Sequence, residues 1–304
     1  MAFASGGKLA ATVSAAGGLG MIGGAYGDTD WIEQQFREAG NQSVGCGLIT
    51  WALRDNPAVL DVVLAHAPKA VFLSFDNPQP YVESIRQTEA VLICQVQTLR
   101  DARHAIDCGA DIIVAQGSEA GGHGESRATF TLVPEVRDAI TKHSPDTLLC
   151  AAGGIADGRG LAAALVLGAD GVVCGSRFWA SKEALVHPNM LQRAMQSSGD
   201  DTIRSSVMDI ARNLEWPSRY SARVLKNGFT DQWHDNQDEL IQQSESQSAR
   251  WKKAWADGDT DIANTFVGEA AGLLHTVEPA AKILTDMCAQ AERILDRNWS
   301  VHTN

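Results

Sequence analysis

An amide, a carboxylate and an imidazole lie close together in one glycine-rich segment, as Gln116, Glu119 and His123. Glycines at positions 117, 121, 122 and 124 allow positive φ angles and a close approach of the backbone to a bound group. The segment follows the apolar run 112–115, whose β-branched residues are typical of a buried strand. This pattern predicts a ligand-binding loop at the carboxyl end of a parallel strand; the alternative is a flexible turn with an exposed histidine.

Two further glycine turns follow the last two predicted strands. Gly153 and Gly154 come after one strand, and Gly175 and Ser176 come after the next. In a parallel barrel, backbone N–H groups at these positions bind a phosphate, and the Ser176 hydroxyl adds a donor. The alternative is a pair of tight connecting turns. Since no P-loop or acidic triad accompanies them, we expect the phosphate of a cofactor rather than that of ATP.

The segment Gly18–Gly23 matches the dinucleotide-binding pattern G-x-G-x-x-G. That pattern requires a strand before the glycines and a helix after them. Here an alanine-rich helix is predicted at 8–16 and a strand at 19–22, which is the reverse order. We therefore predict no Rossmann site.

Composition excludes several classes of function. The chain has 304 residues and a net charge of −12, which argues against nucleic-acid binding. It has no apolar run near 18 residues and no secretory signal, so we predict no membrane association. Six cysteines without a C-x-x-C pair argue against disulfides and against a zinc site. We predict reduced thiols and a cytoplasmic location.

Seven short apolar segments alternate with helical ones, and this alternation predicts a parallel sheet of the α/β class. The predicted strands are 19–22, 44–50, 70–75, 91–96, 112–116, 147–152 and 171–174. A TIM-type (β/α)8 barrel has eight strands, so a first strand would lie before Met1. We expect the sequence to start late, through a misassigned start codon or a natural truncation. We predict a barrel over 1–184 and, over 185–304, an all-helical extension that packs on the barrel and the substrate pocket.

Three segments, Ala115–His123, Ala151–Ile155 and Gly175–Phe178, together resemble the nitronate monooxygenase family, formerly called 2-nitropropane dioxygenases. The likeness covers nearly the whole chain and includes Gly17–Gly23 and Gly268–Leu274. The E-A-G-G-H loop is also similar to that of flavin-dependent enoyl-acyl-carrier-protein reductases and related NADH:quinone reductases.

The resemblance implies an FMN-binding barrel over 1–184. It implies that Gln116 bonds the isoalloxazine edge and that Gly121 and Gly122 line the ring. It implies that Gly153, Gly154, Gly175 and Ser176 hold the FMN phosphate. We count Gly117 and Cys174, which belong to the same turns, among the cofactor-binding residues.

The activity implied by the resemblance is the oxidation of alkyl nitronates or nitroalkanes with O2 to carbonyl compounds and nitrite. His123 would be the catalytic base, since a neutral imidazole accepts protons near physiological pH. A second hypothesis is a flavin-dependent NAD(P)H reductase acting on a quinone or an enoyl thioester. A third is a degenerate relative that no longer retains FMN. The sequence leaves the substrate, and whether the chain forms a homodimer, open.

Overall fold

A computed structural model of the protein describes residues 2–297. Seven parallel strands form one curled sheet in sequential order. The strands are β1 (Met21–Gly23), β2 (Gly45–Ile49), β3 (Ala70–Ser74), β4 (Val91–Val96), β5 (Ile112–Gln116), β7 (Leu148–Ala152) and β8 (Gly171–Val173). A short segment, β6 (Gly122–Gly124), lies between β5 and β7 in the chain and belongs to a second sheet. All seven predicted barrel strands are confirmed.

Successive residues of a strand point to opposite faces of the sheet. Because the strands are apolar at successive positions, both faces of the curled sheet are apolar. On β3, Val71 and Leu73 belong to the large core between the sheet and its helices. Ala70 and Phe72 belong to a smaller cluster inside the curl, together with Val114 of β5. A layer of helices on the outside and side chains on the inside is the arrangement of a TIM-type barrel.

The connecting helices follow the strands in turn. They are α1 (Gly7–Ala15), α2 (Thr29–Ala39), α3 (Ala58–Ala65), α4 (Gln79–Arg86), α5 (Leu99–Asp107), α6 (Thr129–His143) and α7 (Gly158–Val166). Side-chain caps fix several of their starts, since a cap satisfies one of the free N–H groups of the first turn. Asp28 accepts from the N–H of Trp31 at α2, and Thr98 accepts from that of Asp101 at α5.

The G-x-G-x-x-G segment serves helix packing. A Cβ atom on Gly20 would lie 1.8 Å from the carbonyl oxygen of Ala10, so only glycine allows α1 to lie this close to the start of β1. A helix precedes the glycines and β1 begins within them. This is the order predicted from the sequence, and it does not build a dinucleotide site.

The strands β1 and β8 form the two ends of the sheet. Within residues 2–297 no strand lies between them. Ser5 lies alongside β1, where its carbonyl accepts from the N–H of Gly23 at 2.9 Å and its hydroxyl donates to the carbonyl of Met21 at 2.6 Å. The expected strand ahead of Met1 falls outside the described residues.

The chain beyond β8 is largely helical. Its helices are α8 (Ser176–Trp179), α9 (Pro188–Met195), α10 (Val207–Ala211), α11 (Gly228–Trp233), α12 (Gln237–Gln242), α13 (Ser244–Asp257) and α14 (Ala280–Leu295). The helices are confirmed, but the expectation of an all-helical region needs correction. Two strands, β9 (Thr202–Ser205) and β10 (Ser221–Leu225), pair antiparallel, and β10 also pairs with β6. The reason is local alternation: Ala222 and Val224 are fully buried, whereas Ser221 and Arg223 are half-buried.

The last described helix, α14, packs against α7 and α1. At its contact with α7, the N–H of Gly158 donates to Oε1 of Gln290 at 2.8 Å, and a Cβ atom on Gly158 would lie 2.5 Å from the backbone nitrogen of Ala291. The helical layer therefore continues from α7 through α14 to α1. The segment between β8 and α14 is an insertion in the chain between the last described strand of the barrel and the helix that completes this layer.

Residues 2–297 include no helix with both the length and the apolar character of a bilayer span. In the same part of the chain, no group of three or more His, Cys, Asp or Glu side chains is placed to hold a metal ion. All six cysteines are free thiols; Cys46, Cys94 and Cys108 are buried, Cys150 and Cys174 are half-buried, and Cys288 is exposed.

Candidate active site

The loop between β5 and β6 is held by its own carboxylate. Both carboxylate oxygens of Glu119 accept from the N–H of Thr129 at 3.0 Å, and one accepts from its hydroxyl at 2.9 Å. Glu119 thus caps the start of α6, where a negative charge is favoured by the helix dipole. A Cβ atom on Gly117 would lie 2.0 Å from Oγ1 of Thr129, so a side chain there would displace this contact.

The amide of Gln116 is oriented by two neighbouring glutamines. Its Oε1 atom accepts from Nε2 of Gln97 at 2.8 Å and from Nε2 of Gln95 at 3.1 Å. Gln97 is 2% exposed and therefore offers a rigid support. Because the oxygen is used in this way, the amide NH2 group of Gln116 is the part left to bind a ligand acceptor.

Gly121 and Ser176 meet at one shared neighbour. A Cβ atom on Gly121 would lie 2.5 Å from the backbone nitrogen of Gly268, whose N–H donates to Oγ of Ser176 at 2.9 Å. The adjoining N–H of Glu269 donates to the carbonyl of Glu119 at 2.9 Å. The structure therefore brings the loop after β5 together with the turn after β8, although these are far apart in the sequence.

The turns after β7 and β8 are shaped by glycine. Gly153 and Gly154 have φ angles of 105° and 74°, a region that other residues rarely adopt. Gly153 packs on the same loop, since a Cβ atom there would lie 2.8 Å from Oγ1 of Thr129. At Gly175 a Cβ atom would meet nothing within 4 Å, and α8 begins at the next residue with N–H groups that lack intrahelical partners. These turns offer open backbone donors.

Cys174 is turned away from this region. Its sulfur lies 3.9 Å from Sδ of Met287 on α14, and burial raises the pKa of the Cys174 thiol to about 12. A contact of Cys174 with a cofactor would therefore come from its backbone rather than from its side chain.

His123 lies on β6 in a tightly enclosed position. Its Nε2 atom is 2.8 Å from Oδ2 of Asp209, and its ring stacks on the Trp216 ring with centroids 3.4 Å apart and planes 5° apart. Burial lowers the pKa of His123 from its ordinary value, although the hydrogen bond and charge of Asp209 oppose the change. At neutral pH the imidazole is therefore uncharged and able to accept a proton.

An aromatic cluster surrounds this histidine. Nε1 of Trp216 donates to the Tyr26 hydroxyl at 3.1 Å, and the ring of Phe75 lies 5.0 Å from the Trp216 ring and 6.2 Å from the His123 ring. Phe75 has a φ angle of 65° and Asp76 one of 131°, both unusual for residues with side chains. Strained backbone of this kind is concentrated at functional sites, and here it directs Phe75 toward His123.

Two half-buried arginines, Arg204 and Arg212, lie behind the site. The guanidinium of Arg204 donates to the carbonyl of Ser118 at 3.0 Å, and burial together with the nearby Arg223 lowers the pKa of Arg204 to about 10. Nη1 of Arg212 lies 4.0 Å from Oδ1 of Asp209. Arg204 thus holds a carbonyl of the glycine loop in place, and Arg212 faces the carboxylate of Asp209, which binds His123.

The structure thus arranges the predicted residues in two groups joined by the loop 116–124. Backbone donors collect around Gly154, Gly175 and Ser176, while His123 lies among aromatic side chains. Sequence analysis missed Asp209, which is 86 residues from His123 along the chain and carries no local motif. Sequence analysis assigned no role in the site to Trp216 either.

Comparison with known proteins decides the family. The family model described as "Nitronate monooxygenase" matches residues 50–290. The chain belongs to the nitronate monooxygenase family. The resemblance inferred from the sequence motifs is confirmed, and family membership identifies a flavin-dependent oxidoreductase.

Curated relatives and solved structures agree with this family. A nitronate monooxygenase from Neurospora crassa is 33% identical, with 95% of this chain and 86% of the relative covered. Another from Metarhizium robertsii is 34% identical, with 94% and 88% covered. The structure of FabK from Thermotoga maritima has a TM-score of 0.84 at 31% identity, covering 97% and 92% of the two chains. A nitroalkane oxidase from Streptomyces ansochromogenes shares the fold, with a TM-score of 0.80 at 23% identity and coverages of 97% and 95%.

Proposed function

We propose that the enzyme uses FMN and O2 to oxidise alkyl nitronates and nitroalkanes to carbonyl compounds and nitrite. The observation that carries this proposal is the setting of His123: an uncharged, enclosed imidazole at the end of a glycine loop whose other end lies against an open anion cradle. Family membership supports the oxidation of nitronates in general. The identity of the flavin, the use of O2 and the products are part of the proposal.

The residues present fit an FMN phosphate and ring. Gly175 leaves open space where a side chain would project, and the left-handed turn at Gly153 and Gly154 adds backbone that can approach an anion closely. The free amide NH2 of Gln116 suits a carbonyl or ring nitrogen of a flavin. These features support Gln116, Gly153, Gly154, Gly175 and Ser176 as cofactor-binding residues, with Gly117, Gly121, Gly122 and Cys174 shaping the same turns.

His123 provides the proton-transfer step of the proposed reaction. With a neutral nitroalkane as substrate, the imidazole removes the α-proton and so produces the nitronate within the site. With a preformed nitronate, the protonated or hydrogen-bonding imidazole orients the anion. When bound, FMN supplies the redox chemistry between the substrate and O2. The aromatic cluster offers the apolar wall that an alkyl chain needs.

The test is oxidation of a panel of alkyl nitronates and nitroalkanes by the purified FMN-loaded enzyme, followed as O2 uptake and nitrite release. We expect H123N to lower kcat/KM for neutral nitroalkanes by about 10²–10⁴-fold, the usual contribution of a general base. The matched control is D238N, since Asp238 is exposed on α12. Anaerobic bleaching of the flavin by NADPH but not by a nitronate would overturn the proposal.

A second candidate is the NAD(P)H-dependent reduction of a quinone or an enoyl thioester. It is favoured by the likeness to FabK, which has the higher TM-score of the two solved structures compared above and shares 31% identity. The anaerobic experiment separates the two functions, because only the reductase takes electrons from a nicotinamide.

The pH dependence follows from the direction of the shift at His123. Burial lowers its pKa below the ordinary value of 6.5, so the base form persists to lower pH than in a free histidine. We expect the decline in kcat/KM for a neutral nitroalkane on the acid side to have its midpoint below pH 6.5. A midpoint well above 6.5 would contradict a buried neutral base.

The cellular location and the oligomeric state of the protein can also be tested. We predict a cytoplasmic location from the cysteine pattern, and cell fractionation tests it. Whether the enzyme forms a homodimer stays open, and light scattering of the FMN-loaded protein decides it.

A further inference from the structure

We propose that Asp209 is a positioning residue that fixes the tautomer and orientation of His123, so that Nδ1 is the atom that accepts the substrate proton. This inference rests on the proposed function, in which His123 is the base. It assigns a role to a residue that no sequence motif indicates.

The hydrogen bond determines where the imidazole carries its proton. Nε2 of His123 lies 2.8 Å from Oδ2 of Asp209, and the two side chains are 8% and 4% exposed. With the carboxylate as the acceptor of this bond, Nε2 carries the hydrogen. A neutral imidazole has one N–H, so the lone pair is on Nδ1. Within residues 2–297 no hydrogen bond reaches Nδ1, which leaves that atom for the substrate.

The carboxylate of Asp209 is committed to this single partner. Its second oxygen, Oδ1, is buried and has no hydrogen-bond partner in the described part of the chain; the nearest cation, Nη1 of Arg212, is 4.0 Å away. A buried carboxylate is costly unless positive charge lies close to it, and Arg212 at 4.0 Å supplies part of that charge. His123 adds to it, with Nε2 at the shorter distance of 2.8 Å, when the imidazole accepts a proton and becomes an imidazolium.

The stack on Trp216 holds the plane of the His123 ring, and the hydrogen bond to Asp209 holds the ring edge that carries Nε2. The indole lies parallel to the imidazole at 3.4 Å and is held in turn by the Tyr26 hydroxyl. A ring flip of His123 would break the bond to Asp209 and leave the carboxylate unpaired. Stack and hydrogen bond together hold the ring in one orientation, in which Nδ1 is the ring nitrogen without a hydrogen-bond partner among residues 2–297.

The remaining groups that face His123 make the role of Asp209 testable. Arg212, just after α10, and Arg204, on β9, lower the pKa of His123, as does burial, while Asp209 on α10 raises it. The hydroxyl of Tyr26, after β1, is held by Trp216 and faces Arg212; burial keeps its pKa raised, so it is neutral. If Asp209 is replaced by a neutral residue, the remaining causes, which are burial and the two arginines, all lower the pKa of His123.

The first experiment compares D209N with wild type on a neutral nitroalkane and on its preformed nitronate. We expect kcat/KM for the nitroalkane to fall by about 10²–10⁴-fold, since the amide favours the wrong tautomer and cannot stabilise an imidazolium. For the nitronate, which needs no proton removal, the loss should stay within about tenfold. D238N is the matched control and should behave as wild type. Equal losses on both substrates would show a structural role and overturn the proposal.

The second experiment does not depend on turnover. In the FMN-loaded protein labelled with 15N-histidine, we expect the imidazole nitrogen shifts of wild-type His123 to show the Nε2–H tautomer. In D209N we expect a lower pKa for His123 and a loss of that tautomer preference. An Nδ1–H tautomer in the wild type, or unchanged signals in D209N, would overturn the role of Asp209.

The two failures are distinguishable. If the wild-type enzyme oxidises no nitronate, the proposed function fails, while the nitrogen shifts still decide whether Asp209 sets the tautomer. If D209N does not fold, the wild-type spectrum alone remains decisive, because the Nδ1–H tautomer is incompatible with the proposal.

Discussion

The two halves of the site are built in different ways. Around Gly153, Gly154 and Gly175 the groups that we propose to bind the cofactor are backbone N–H groups, placed by short turns that directly follow strands. Around His123 they are side chains from widely separated segments, including Asp209 and Trp216. The difference teaches that a backbone cradle is encoded locally, whereas the environment of a catalytic side chain depends on how distant segments pack.

The largest expected effect is at the backbone cradle. Replacing Gly175 by Asp places a negative charge where the phosphate is expected, and like charges brought together cost several kcal/mol. We expect G175D to weaken FMN binding by about two to three orders of magnitude, measured by fluorescence titration of the apoprotein. G175N is the matched control, because its side chain has the size of Asp without the charge, so the loss of affinity in G175D beyond that in G175N measures the charge repulsion. Equal affinities for G175D and wild type would place the phosphate elsewhere.

A smaller effect is expected where the two halves join. Replacing Gly121 by Ala puts a Cβ atom 2.5 Å from the backbone nitrogen of Gly268, and backbone cannot move aside as a side chain can. We expect the free energy of unfolding to fall by about 1–3 kcal/mol, the usual cost of overpacking, as measured by urea denaturation. With G175A as the unstrained comparison, an unchanged stability of G121A would show that the loop and the segment at 268 are not held together.

The smallest effect concerns the aromatic side. W216F removes the hydrogen bond to Tyr26 and part of the stack on His123, and such aromatic pairs contribute about 0.5–1.5 kcal/mol. We expect a loss of stability of that size in urea denaturation, together with a lower kcat/KM for neutral nitroalkanes. W255F is the control, since Trp255 is 38% exposed on α13 and stacks with Trp251 rather than with His123. If both variants keep wild-type kcat/KM, the stack has no part in orienting His123.

The sequence predicted the features that depend on neighbouring residues. Each barrel strand was predicted because a short apolar run lies between turn residues, as at Ile112–Gln116. The glycine turns were predicted because glycine is needed for the φ angles of 105° and 74° observed at positions 153 and 154. Local chemistry was enough to identify the turns that form the candidate cofactor cradle.

Features that depend on tertiary packing were not predictable in the same way. The strand β10 is short and follows an irregular stretch, so the local sequence does not indicate a strand. It is a strand because it pairs with β6 and β9, which are separated from it in the chain. Asp209 lies on a five-residue helix, and nothing in its neighbourhood distinguishes it from a surface aspartate. Only the packing of α10 against β6 shows that its carboxylate is buried and bonded to His123.

The contact of α14 with α7 and α1 has a consequence for the order of events during synthesis. Residues 280–295 close the helical layer against residues 7–15, so α1 is synthesised long before the helix that covers this flank exists. Contacts this distant in sequence slow folding, because a long loop must be closed before they form. On the ribosome, the flank of α1 that α14 covers is therefore a surface that chaperones can engage until α14 has been synthesised.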